Sequence, residues 1–90
     1  MGSEKFLKVT EDGFMNLLTG YKTFEVVDAI IGFKQGESIT IIECNEDGTE
    51  TYRFAVAEIG YIQKVGAQDV LSIDIINYVD ERGVLHYFNE

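Results

Sequence analysis

From Ser38 to Ile62 the chain is rich in β-branched and aromatic residues set among polar ones, and Asn45-Glu46-Asp47-Gly48 breaks the run. An Asp-Gly pair between two such stretches signals a β-hairpin, because it tolerates the positive φ values of a tight turn. The pattern predicts a strand over Ser38–Cys44 and a return strand over Thr49–Ile62. A lone hairpin is marginal in water, so these strands require neighbours. In the return strand Tyr52, Phe54 and Val56 share one face, whereas Ala57, Ile59 and Tyr61 share the other. A strict period of two cannot bury both sets on one side. The sequence therefore predicts a bulge between Val56 and Glu58, the device by which small sheets bend toward closure.

The neighbours are found on both sides. Phe6–Val9 reads as a short first strand, and Thr10-Glu11-Asp12-Gly13 opens a helix with Thr10 as its N-cap and two acids at its positive end. Phe14, Leu17 and Leu18 follow at the spacing of one buried stripe, and Gly20 stands where a left-handed cap ends the helix. Lys22–Asp28 reads as a strand. Leu71, Ile73 and Ile75 alternate with Ser72 and Asp74 in another, and Asp80-Glu81-Arg82-Gly83 turns the chain into a last strand from Val84 to Phe88. The chain lacks proline, and nine glycines serve its turns. One domain over residues 1–90 is expected, with one principal N-terminal helix and about six strands in a partly closed α+β barrel.

Sixteen acidic residues against seven basic ones give a net charge of −9, which repels a polyanion on average and keeps a small domain in solution. No apolar run is long enough to span a membrane. The opening Met1-Gly2-Ser3-Glu4-Lys5 lacks the layout of a secretory signal, and the single Cys44 suits a reducing compartment, so a cytoplasmic setting is expected. His86 and Cys44 show no spacing that links them as base and nucleophile, and neither belongs to a metal cluster, so no metal and no cofactor are expected.

The segment from Phe14 to Ile39 resembles the ASCH branch of the PUA-like superfamily, in particular a bacterial and phage group of unknown function. That group shows a short helix, then G-x-K-T-F-E-x-R, then F-x-x-G-D before an apolar strand. Here Gly20, Lys22, Thr23, Phe24 and Glu25 stand in register, and Phe33, Gly36 and Glu37 follow at the matching distance. The resemblance implies a small mixed PUA-like β-barrel with a cleft between helix and sheet. That cleft would take RNA, single-stranded nucleic acid or a nucleotide, with Lys22, Glu25, Tyr21 and Phe24 as ligand-binding residues. In a few relatives the cleft hydrolyses an amide of acetylated cytidine. That activity needs a further acid here, and Glu58 and Asp74 qualify only by their chemistry. Where the family has arginine, this chain has Val27, so the planar donor fork that grips a phosphate is missing.

A second class of function stays open beside this one. Val27, Ile30 and Ile31 form a candidate apolar interface for a homodimer or a protein partner. The acidic hairpin of Glu43, Glu46, Asp47 and Glu50 is either a solvated turn or a surface that imitates a phosphate backbone, as phage-type inhibitors do.

Overall fold

In the computed structural model, residues 5–87 are described. Strand β1 (Lys5–Thr10) leads into helix α1 (Glu11–Thr19), and strand β2 (Phe24–Asp28) into a single 3₁₀ turn at Ala29–Ile31. Strands β3 (Ser38–Cys44), β4 (Glu50–Val65), β5 (Gln68–Val79) and β6 (Leu85–Tyr87) complete the chain. The sheet order is β1-β3-β4-β5-β2, and β6 pairs with β5 beyond the end of β2. Among the described residues only β1 and β3 run parallel, and the sheet curls into an open half-barrel with one helix.

Each end of α1 is fixed by its own sequence. The Gly13 N–H donates to Thr10 Oγ1 at 3.1 Å, and Gly20 adopts the left-handed conformation, φ 83°, that lets its N–H reach the Leu17 carbonyl. The helix turns Phe14 and Leu17 onto the inner face of the sheet, against Ile39, Ile41, Ala55, Ala57, Ile59, Leu71 and Ile73. Burying these two side chains contributes about 2–3 kcal/mol each before the entropy of ordering them.

The half-barrel is open between the edges β1 and β2, and Lys5 spans part of the opening. Its Nζ donates to the Gly32 carbonyl at 3.1 Å and to Glu37 Oε2 at 3.0 Å, and it lies 5.6 Å over the ring of the buried Phe33. The β1 edge is thereby fastened to the segment that leaves β2.

The expected irregularity between Val56 and Glu58 is present, though not for the expected reason, and one expectation is corrected. The inward alternation of β4 runs unbroken through Arg53, Ala55, Ala57 and Ile59, so the strand does not change face at Val56–Glu58. The ladder does shift register between Val56 and Ala57, but the extra residue is Ile76 on β5. The change of face in β4 comes at Gly60-Tyr61, where the Tyr61 N–H donates to Ser72 Oγ at 2.8 Å. Tyr52, Phe54 and Val56 consequently point to the outer face, away from the core. The corrected expectation is Val27: its side chain is buried in the core, because it pairs with the buried Asp69 on the inner face, so it lies outside any exposed patch. Ile30 and Ile31, on the 3₁₀ turn, remain exposed.

Candidate functional site

The loop from α1 to β2 is held at both ends. The Lys22 N–H donates to the Asn16 carbonyl at 3.0 Å, and the Ile73 N–H donates to the Thr23 carbonyl at 2.9 Å. From this fixed loop Lys22 straddles the start of β2. Its Nζ meets Glu25 Oε2 at 3.1 Å and stands 5.6 Å over the ring of Phe24. Glu25 pairs with Leu71 and leans to the inner face, where it is largely buried; Phe24 pairs with Ser72 on the outer face and is partly exposed. Tyr21 projects into solvent with 88% of its surface free. Three of the four residues expected at the ligand cleft thus meet at one point, and Tyr21 stands beside them.

The arrangement offers an ammonium donor, a carboxylate acceptor, a partly exposed ring under the ammonium and one free aromatic side chain, Tyr21. The carboxylate cancels the charge of Lys22, so the group is poorly suited to holding a phosphate and well suited to a planar polar edge. Glu58 and Asp74 do not join it: both project from the outer face, opposite one another across β4 and β5, while Glu25 leans inward. No further acid of the amidohydrolase kind is brought to Lys22 by these two residues.

Sequence reasoning missed two polar networks. Glu43, fully buried at the end of β3, takes a forked ion pair from Arg53 (Nε at 2.8 Å, Nη2 at 2.5 Å) and a hydrogen bond from the Thr51 hydroxyl. The guanidinium also stacks 5.6 Å from the Phe14 ring. Glu43 spans Thr51–Arg53 because the β3–β4 ladder is bulged there, and Tyr52, the middle residue, takes a left-handed φ of 73°. A buried acid two residues from Ile41 could have been suspected from its inward parity, but nothing in the sequence pointed to Arg53 as its partner. Glu43 therefore belongs to the fold and not to an acidic docking surface.

The second network closes the β5–β6 hairpin. Asp80 accepts from Arg82 Nη2 at 2.9 Å, from the N–H groups of Arg82 and Val84, and lies 3.0 Å from His86 Nε2. Arg82 and His86, ahead of the backbone donors, hold the Asp80 carboxyl well below the usual carboxylate range. His86 also stacks on Tyr78 with ring centroids 4.6 Å apart. The histidine that lacked a partner in the sequence has two in the fold, both structural.

Of the other acids in the hairpin, Asp47 is drawn down by the Thr49 N–H and hydroxyl, as expected of a self-capped turn. Glu46 shares an acidic cleft of about 300 Å³ with Thr10, Glu11 and Asp12. Cys44 is buried. Among the described residues no three His, Cys, Asp or Glu side chains are grouped to hold a metal ion, and no helix is long and apolar enough to cross a membrane. Compared with known proteins, the chain matches no family model and no curated sequence.

Proposed function

We propose that this chain is a non-catalytic binding module of the ASCH, PUA-like type, and that it takes a single nucleobase, free as a nucleotide or unpaired within a strand of RNA. The observation that carries this reading is the Lys22–Glu25 pair at 3.1 Å with Phe24 beneath the ammonium and Tyr21 free beside it. Lysine donates to a base carbonyl, the carboxylate accepts from an exocyclic amine, and stacking on an exposed ring adds about 1–3 kcal/mol per base. The short helix ahead of Gly20 and the curled sheet behind it suit the family resemblance.

The same geometry argues against a phosphate grip. Val27 is buried where the family has its arginine, and a surface of net charge −9 opposes a polyanion. Binding should be weak and nearly independent of salt, with no affinity for duplex DNA. Titration of ¹⁵N-labelled protein with mononucleotides, short single-stranded RNA and duplex DNA tests this. Shifts confined to residues 20–25 and removed by Lys22→Ala or Glu25→Gln are expected. The reading fails if no ligand shifts these amides at millimolar concentration, or if affinity falls steeply with salt.

A further inference from the structure

The outer face of the half-barrel is largely apolar, and among the described residues no helix or strand covers it. Phe6, Thr40, Val56, Asn77 and Tyr87 lie in register across it, and Lys8, Ile42, Phe54, Val79 and Leu85 form the row beside them. Helix α1 packs on the opposite face, so Phe6 keeps 57% of its surface exposed, Phe54 36% and Tyr87 66%. Tyr52 leans over the same region, 78% exposed, beside a groove of about 320 Å³ that Phe6, Ile42 and Phe54 also line. Its left-handed φ of 73°, set by the bulge opposite Glu43, is strained for a residue with a side chain and turns the ring outward. At about 200 Å² per aromatic side chain, these four expose on the order of 500 Å², already near the largest apolar patch of an ordinary monomer. The partly exposed aliphatic residues of the two rows extend it toward the roughly 800 Å² that each partner of a stable dimer contributes.

The charges on this face are few: Glu50 lines the groove beside Tyr52, and the others stand about the patch. Glu58 and Asp74 face each other directly across β4 and β5, a like-charge pair that destabilises the isolated sheet. Among the described residues neither has an ion-pair partner, and neither does Lys8, at the β1 border of the patch. A two-fold axis lying across the apolar rows exchanges these two borders. Lys8 of each copy then comes to Glu58 and Asp74 of the other, and the aromatic rows meet between them.

We infer that the outer face of this sheet is a self-association surface, on which a second copy of the chain packs face to face with Lys8 set against the opposite Glu58–Asp74 pair. The contact is isologous and closes at two copies. The remaining negative charge opposes association only at short range, since physiological salt screens it beyond about 8 Å. The surface is distinct from the Lys22–Glu25 pair, so the inference stands or falls apart from the base-binding reading.

Sedimentation velocity of the whole chain in physiological salt, from about 1 to about 500 µM, covers the range in which a contact of this size dissociates. A reversible monomer–dimer equilibrium is expected. Phe54→Asp should weaken it by about 30-fold or more, as loss of a central aromatic does. Tyr52→Gly should also weaken it while keeping the fold, because glycine takes the left-handed φ without strain; its amide spectrum and thermal melt serve as the fold control. Lys8→Glu should weaken the dimer by about tenfold, and adding Glu58→Lys and Asp74→Lys together should restore it, since every charge of the contact is then exchanged. A chain that stays monomeric throughout overturns the inference and leaves the face to a different protein. So does a dimer indifferent to Tyr52→Gly, or an exchange of all three charges that restores nothing.

Discussion

Arg53→Met should cost this small domain a large part of its stability. The substitution keeps an apolar stem against Phe14 but removes the guanidinium from Glu43, whose side chain is wholly buried. Glu43 then retains the Thr51 hydroxyl as its one described side-chain donor, and its second oxygen loses the 2.5 Å partner. Breaking a buried ion pair from one side costs about 3–5 kcal/mol, because the remaining charge is desolvated and uncompensated. A domain of this length is stable by only about 5–13 kcal/mol. With a urea slope near 1.5 kcal/mol/M, the midpoint should fall by about 2–3 M. Urea denaturation followed by far-ultraviolet circular dichroism measures it. The double variant Glu43→Leu, Arg53→Met removes both charges and should recover most of the loss, as apolar replacements of whole buried pairs do. A single-variant loss under about 1 kcal/mol, or a double variant no better than the single, would refute the view that Arg53 compensates the burial of Glu43.

Two further outcomes follow from the hairpin and the bulge. The Asp80 carboxyl is lowered in the folded state by Arg82 and His86, so its contribution to stability is fully present above the ordinary carboxylate range, about pH 4, and is lost as pH falls below it; Asp80→Asn should flatten the acid side of a plot of melting temperature against pH, and an unchanged acid limb counts against it. At Gly60 an added Cβ would lie 2.8 Å from Ser72 Oγ, the acceptor of the Tyr61 N–H, so Gly60→Ala should cost about 1–3 kcal/mol in urea, and adding Ser72→Ala should cost less than the sum of the two single changes.

What was legible in the sequence was whatever a local pattern encodes. Thr10, the Phe14–Leu17–Leu18 stripe and Gly20 define a helix by capping and by period, and the structure places α1 between the same residues. The Asp-Gly turn and the strands on either side of it were equally local. Lys22 and Glu25, three residues apart, could be paired on paper. The failures are non-local. Burial of Val27 depends on its being opposite Asp69 on β5, a register set by the course of the whole sheet. The partner of Glu43 lies ten residues away across a bulge, and the bulge exists only once Thr51 and Arg53 both turn inward. His86 found Asp80 only after the hairpin closed.

The irregularity at Val56–Ala57, found where expected but reasoned from a change of face that β4 does not make there, is the most instructive case. Two apolar sets on opposite faces of Thr49–Ile62 looked like a conflict because only one face was assumed to be buried. The conflict disappears when both faces are allowed to be apolar. The inner set, Ala55, Ala57 and Ile59, is the core beneath α1; the outer set, Tyr52, Phe54 and Val56, has no covering element among the described residues, whose single helix of nine residues lies on the other face. Folding of the isolated chain gives no reason for this outer set, since exposed Thr or Lys would satisfy the strand equally well and raise solubility. Nor is it scattered, because Phe6 on β1 and Leu85 and Tyr87 on β6 extend it across five strands. An apolar surface that the monomer does not need, continuous across strands distant in sequence, is accounted for by something outside the monomer. Lys8 and the Glu58–Asp74 pair, at separate borders of the patch, give a second copy of the chain a charge match that a purely apolar partner lacks.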